Sequence, residues 1–90
     1  MNEDRYKVKE GIVFDLLDDE VGLIIDSENN GAYEVTETVC SILKFINKGA
    51  TFNRIMERIL DEYDVEEKTA AKDLVEILDE LLRNKIIEKI

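Results

Sequence analysis

The chain has 90 residues, which is enough for one small domain with a single hydrophobic core. Its 22 Asp and Glu residues against 12 Lys and Arg give a net charge of −10, with 44% hydrophobic and 38% charged residues overall. This composition predicts a soluble globular protein and argues against nucleic-acid binding, because affinity for phosphates comes largely from Lys and Arg.

Short β-forming runs separated by polar turns predict an antiparallel sheet in the first part of the chain. In the first run, Ile12, Phe14 and Leu16 alternate with other residues and share one face. The last run, Ala-Tyr-Glu-Val, follows a turn in which Asn30-Gly31 tolerates positive φ. The chain order makes the second run the central strand and leaves the third at an edge of the sheet. The three runs are 11–17, 21–26 and 32–35.

Amphipathic segments between residues 36 and 84 predict three helices, because apolar residues recur there at i, i+3, i+4 and i+7. Thr36 and Thr51 are the predicted N-caps of the first and second helices. Gly49 lies where the first helix should end, and the third helix should begin near Glu66.

The resulting prediction is a single α+β domain over residues 1–90, in which a three-stranded antiparallel sheet precedes three helices (βββααα). The expected segments are an N-terminal extension or the start of the first strand at 1–10, the sheet at 11–35, the helices at 36–84, and a frayed helix or extended tail at 85–90.

The residues that most enzymes use for chemistry are scarce in this sequence. It contains no His, which is the commonest general base and metal ligand. Cys40 lies in a predicted helix next to apolar residues and is expected to be a packing residue rather than a nucleophile. Glycines are isolated, so no phosphate-binding loop is predicted. We therefore expect no catalytic activity, no cofactor and no metal site.

The sequence also lacks targeting signals. The first ten residues contain no apolar signal-peptide core. The longest uncharged apolar runs, 21–25 and 39–43, are far shorter than the roughly 20 residues of a membrane span. A lone cysteine fits a reducing compartment, so a cytoplasmic location is expected.

One flank of the predicted third helix carries Asp73, Glu76 and Glu80, with Ile77 at its border. Taken alone, this pattern is typical of the solvated face of a surface helix. Beside a short, unpaired edge strand, however, the same flank could form one wall of a groove.

The order and spacing of several short motifs resemble the PqqD-like proteins, the RiPP recognition elements of peptide-modification pathways. The similarity covers residues 11–88. It departs from the usual pattern at Thr36, where Asn is common, and at the start of the third helix, which has no proline. The matching residues are Leu23 to Asp26, Gly31, Tyr33, Val35 to Thr38, Gly49, Asp61 to Val65, Asp73-Leu74, Leu78 and Leu81-Leu82.

This resemblance implies a winged-helix-like, non-catalytic domain that binds the leader segment of a ribosomally made precursor peptide. In such proteins the leader adds as an antiparallel strand to the third strand, beside the third helix, and is presented to a modifying enzyme such as a radical-SAM enzyme, a leader protease or a cyclase. Carried over to this chain, the peptide-binding residues would be Ala32, Tyr33, Glu34, Val35, Lys72, Asp73, Glu76, Ile77 and Glu80.

Two other functions remain open at this point. The chain could be an acidic protein–protein interaction module that binds no leader peptide, or a winged-helix regulator of DNA, although the net charge argues against the latter. Either a monomer or a weak homodimer is compatible with an exposed sheet edge.

Overall fold

The computed structural model describes residues 3–90 and contains one larger sheet, three helices and a pair of short strands. The elements in chain order are β1 (Tyr6–Val8), β2 (Ile12–Leu16), β3 (Val21–Asp26), β4 (Gly31–Thr36), α1 (Glu37–Asn47), α2 (Phe52–Glu62), α3 (Glu67–Arg83) and β5 (Ile87–Lys89).

Strands β2, β3 and β4 form an antiparallel sheet with β3 in the centre, and α1, α2 and α3 follow it. The predicted three-stranded sheet followed by three helices is therefore confirmed. Ile24, which is fully buried, lies between Phe14 and Tyr33 on the face covered by the helices. On the opposite face, Val13 and Ile25 remain exposed.

The short strands β1 and β5 were not predicted, and they pair with each other in a separate antiparallel sheet. Each has only three residues, too few for an alternating pattern to identify a strand. The C-terminal segment is a strand because Lys85 adopts φ 59° after α3 and the N–H of Ile86 donates to the carbonyl of Leu81 at 2.9 Å. This helix-ending arrangement redirects the chain so that Ile86 and Ile87 are buried.

Asp26, which is only 3% exposed, stabilises the turn between β3 and β4. Its carboxylate accepts hydrogen bonds from the side-chain amide of Asn29 at 2.8 Å and from the backbone N–H groups of Glu28 and Asn29 at 3.1 Å. These hydrogen bonds hold the pKa of Asp26 below its ordinary value, and the bond from the Asn29 side chain has the largest effect. Asn30 completes the turn with φ 56°, so the turn fixes the register of β4 on β3.

Helix α1 approaches the sheet very closely at Gly22. A Cβ atom placed on Gly22 would lie 2.2 Å from Cys40 Sγ, a distance that real atoms do not occupy. The thiol is buried and donates to the carbonyl of Asp15 at 3.8 Å, and burial raises its pKa. Cys40 is therefore a packing residue on β3, and glycine is required opposite it. Among residues 3–90, no helix combines the length and apolar character needed to cross a membrane.

Gly22→Ala should lower the free energy of unfolding by about 1–3 kcal/mol, because the new methyl group overlaps Cys40. Adding Cys40→Ala should restore part of that loss, since it removes the sulfur from the point of overlap. Urea unfolding of both single variants and the double variant measures this coupling. Strictly additive changes would show that the two residues do not compete for the same space.

Candidate functional site

Strand β4 lies at the edge of its sheet, and its outer side is paired with no strand among residues 3–90. On the inner side, the N–H of Glu37, just beyond the strand, donates to the carbonyl of Glu20 at 3.0 Å. Hydrogen-bonded and non-bonded pairs alternate along an antiparallel ladder, so Tyr33 and Val35 direct their backbone groups to β3. The groups that point away from the sheet are N–H and C=O of Ala32, N–H and C=O of Glu34, and N–H of Thr36.

A groove of about 270 Å³, here called the edge groove, runs between β4 and the last turns of α3. Buried or half-buried apolar side chains from β4, α1 and α3 contribute to it, and Glu80 adds a carboxylate. Glu34 alternates with Tyr33 and Val35 along β4, so it borders the groove through its backbone. Its lining residues are Tyr33, Glu34, Val35, Thr36, Val39, Ile77, Glu80, Leu81, Asn84 and Ile86.

A second groove of about 400 Å³, here called the helical groove, lies between α3 and the facing ends of α1 and α2. Ile77 and Glu80 line both grooves, so the two lie side by side along α3 and are together called the depression. The helical groove is lined by Thr38, Ile59, Tyr63, Val65, Ala70, Asp73, Leu74, Glu76, Ile77 and Glu80.

The charged side chains that line this depression are all acidic. Asp73, Glu76 and Glu80 line the helical groove, Glu80 also lines the edge groove, and among residues 3–90 no Lys or Arg lines either. An apolar floor with an acidic rim favours a ligand that offers apolar side chains together with Lys or Arg.

The structure brings together most of the residues named from the sequence. Five of them line the edge groove, and Asp73 and Glu76 line the helical groove. Ala32 lines neither groove but presents its backbone at the open edge. Lys72 is exposed and lines neither groove, although it lies only about 40° around α3 from Glu76. The five residues in the edge groove are Tyr33, Glu34, Val35, Ile77 and Glu80.

The helical groove is the part of the site that sequence reasoning missed. Periodicity places Ile59 and Tyr63 on the apolar face of α2, and gives no sign that α2 and α3 separate there enough to leave a cavity. The extended residues that follow α2, among them the exposed Val65, contribute to the lining of this groove. The break in helical periodicity at Asp64 marks this connection but gives no measure of the distance between α2 and α3.

Gly31 gives the Tyr33 ring its position. A Cβ atom on Gly31 would lie 3.3 Å from both Cε2 and Oη of Tyr33, so the ring lies across the glycine. Tyr33 is half-buried, packs against the core and also lines the edge groove. The same side chain therefore supports the fold and offers aromatic surface to a ligand.

A polar cluster joins the start of α1 to the end of α2 beside the helical groove. The Tyr63 hydroxyl donates to Glu37 Oε1 at 2.8 Å, and the Ser41 hydroxyl donates to Glu37 Oε2. The hydrogen bonds from Ser41 and then Tyr63 lower the pKa of Glu37. The Thr38 hydroxyl lies 3.5 Å from that of Tyr63. This cluster sets the spacing of the two helices that flank the groove.

The family assignment comes from residues 22–87, which match the family model described as "Coenzyme PQQ synthesis protein D (PqqD)". The chain belongs to the PqqD family. The match spans the sheet from β3 onward, all three helices and the start of β5, and therefore contains both grooves of this PqqD-family chain.

Two solved structures share the PqqD-family chain's fold. One, "TbiB1 in Complex with the TbiA(beta) Leader Peptide", has a TM-score of 0.81 and 22% identity, covering 91% of this chain and 94% of the other. The second, "Lasso peptide synthetase B1 complexed with the leader peptide", has a TM-score of 0.81 and 17% identity, with coverage of 93% and 98%. No curated protein matches the sequence significantly.

Glu37→Gln should destabilise the protein by about 1 kcal/mol near neutral pH, because two hydrogen bonds to a charged, half-exposed acceptor are weakened. The folded-state pKa of Glu37 is lowered, so its contribution is present above the ordinary value of 4.5 and is lost as the pH falls below it. The difference between wild type and variant, measured by urea unfolding, should therefore be constant between about pH 6 and 8 and shrink toward pH 3.

Glu57→Gln is the matched control, since Glu57 is an exposed carboxylate on α2. A Glu37→Gln effect that persists unchanged at pH 3 would show that the carboxylate's charge does not hold this cluster together.

Proposed function

We propose that this protein binds the leader segment of a ribosomally made precursor peptide by strand addition to β4, and presents that peptide to a modifying enzyme. The observation that carries the proposal is the unpaired edge of β4 beside two adjoining apolar grooves with an acidic rim. The protein itself acts as an adaptor and performs no chemistry on the peptide.

The backbone of β4 supplies the part of the affinity that does not depend on peptide sequence. An extended peptide lying antiparallel to β4 can pair with the outward groups of Ala32, Glu34 and Thr36. Each such hydrogen bond adds about 0.5–1.5 kcal/mol net. Ala32 is small and exposed, so its side chain leaves the approach to the edge open.

The side chains of the depression supply selectivity. On a strand added to β4, alternate residues face the helices, and these would enter the edge groove between Tyr33 and Ile77. Beyond Thr36 the sheet ends, and the peptide can continue into the helical groove over Tyr63. Lys or Arg residues in this part of the leader would meet Asp73, Glu76 and Glu80.

The expected affinity is moderate. Ordering an extended peptide costs conformational entropy for every residue that is fixed, and this cost offsets much of the gain from hydrogen bonds and apolar contacts. A dissociation constant between micromolar and high nanomolar, about −8 to −10 kcal/mol, is consistent with this balance.

Both fold neighbours are described as complexes with leader peptides, which supports the same ligand class here. The acidic rim narrows the class further for this chain, toward a leader with basic residues next to apolar anchors. The modifying enzyme that receives the peptide would be a radical-SAM enzyme, a leader protease or a cyclase.

Glu34→Pro should weaken leader binding at least about tenfold, because proline removes the outward N–H and its ring obstructs an added strand. The N–H of Glu34 is not used by β3, so circular dichroism should show that the sheet survives. Fluorescence anisotropy with a labelled leader measures the affinity. Val35→Pro is unsuitable as a test, because the Val35 N–H points to Gly22 within the sheet.

Glu34→Ala is the control for the lost side chain, and it should stay within about threefold of wild type, since the backbone donor that strand addition uses is retained. Equal loss of binding in the alanine and proline variants would argue against backbone pairing at β4.

Asp73→Asn with Glu76→Gln should weaken a Lys- or Arg-containing leader roughly two- to tenfold at low salt, because two rim charges are removed. The effect should diminish as salt is added. Titration calorimetry at two salt concentrations provides the measurement.

The control variant combines Glu57→Gln with Asp61→Asn. It changes the net charge by the same amount as the groove variant, but its two positions are exposed on α2 and line neither groove. If this control weakens binding as much as the groove variant does, overall charge rather than the acidic rim attracts the leader.

A further inference from the structure

A basic pocket lies on the surface where the end of α1 meets the first turns of α2. Its volume is about 530 Å³. Four basic residues line it together with the half-buried Phe45, and among residues 3–90 no acidic residue does so. The cationic residues are Arg5, Lys48, Arg54 and Arg58.

The fold holds these cations close together. Lys48 Nζ lies 6.0 Å and Arg58 Cζ 5.1 Å from the centroid of the Phe45 ring, so two cations contact one aromatic side chain. Arg5 is fixed by its β-bridge to Thr51 at the start of α2. The pocket is therefore a product of packing between three segments, and not a chance run of basic residues in the sequence.

Most of this positive charge is uncompensated. Arg58 pairs with Glu62 at 3.4 Å, but both side chains are about half exposed, and such pairs are weak. Within residues 3–90, Arg5, Lys48 and Arg54 form no ion pair. Four of the 12 Lys and Arg residues of a chain with net charge −10 thus converge on one concavity, although like charges repel.

Carboxylates are the ligands that fit this arrangement. The guanidinium groups of Arg54 and Arg58 can each bind a carboxylate through two parallel hydrogen bonds. A long polyanion such as duplex DNA would extend beyond the pocket into the negative field of the rest of the protein. A short acidic segment engages only the cations, since charges more than about 10 Å away are screened at 0.1 M salt.

The basic pocket and the leader-binding depression lie toward opposite ends of the α1–α2 pair. Thr38 of α1 lines the helical groove and Phe45 lines the basic pocket, a separation of seven residues or about 10 Å along the helix. The two sites also carry opposite charge. One ligand that is basic and another that is acidic can therefore be bound at the same time.

We infer that the basic pocket formed by Arg5, Lys48, Arg54 and Arg58 around Phe45 is a second docking surface, which binds an acidic segment of a partner protein while the peptide groove is occupied. Combined with the proposed function, this gives the adaptor one surface for the peptide and another for a protein that acts on it.

The test is a ¹⁵N–¹H NMR titration of the full chain with a synthetic, end-capped peptide rich in Asp and Glu. Shift changes should concentrate on residues 45–58 and decrease with added salt. Arg54→Gln with Arg58→Gln should weaken binding about tenfold, through the loss of charge-assisted hydrogen bonds. Lys68→Gln with Arg83→Gln, an equal charge change on exposed positions of α3, should leave binding unchanged.

Several results would overturn the inference. The acidic peptide could cause no shift changes at residues 45–58, or the corresponding Asn/Gln peptide or inorganic phosphate could cause shift changes as large as those of the acidic peptide. A DNA duplex could also bind more tightly than the acidic peptide. Concentration-dependent shifts without peptide would likewise reject it, by showing that a second copy of this chain occupies the pocket.

Leader binding, measured in parallel, separates this inference from the proposed function. Arg54→Gln with Arg58→Gln should leave leader affinity unchanged, and a loss would contradict two independent surfaces. If wild type binds the acidic peptide but no leader, the proposed function fails and the basic pocket stands.

Discussion

The direct passage of β4 into α1 at Thr36 constrains most of this fold. Thr36 is the last residue of the strand, and its hydroxyl accepts the N–H of Val39 at 3.4 Å as the N-cap of the helix. With no loop between them, α1 must turn back over the sheet at once, where Gly22 allows Cys40 to pack against β3. Among residues 3–90, no later segment pairs with the outer side of β4. The chain leaves the sheet at this junction, and the helices that follow shape the space beside the open edge.

The features that the sequence predicted are those with local causes. The Thr36 and Thr51 caps hydrogen-bond to Val39 and Arg54 in the structure, because capping depends on residues that are close along the chain. Strands β1 and β5 escaped prediction because their pairing joins opposite ends of the chain. Likewise, the acidic flank of α3 was visible from periodicity, whereas the helical groove depends on how far α2 and α3 stand apart, a tertiary distance that no residue pattern encodes.

The charge distribution separates into regions of opposite sign. Acidic residues line the depression along α3, and basic residues surround Phe45 at the other end of α1. A net charge of −10 conceals this division. For the two ligands proposed above, surfaces of opposite sign are an advantage, because each ligand is then repelled from the site of the other.

An exposed strand edge also carries a risk, because it can pair with another copy of the same protein. Here the strand is short, Glu34 lies in its middle, and Glu80 lines the adjoining groove. Two such edges meeting antiparallel would bring like charges together, which disfavours self-pairing. The basic leader proposed above would meet no such repulsion. An acidic composition that looks like a general solubility feature therefore has a specific consequence at β4, where it disfavours the dimer.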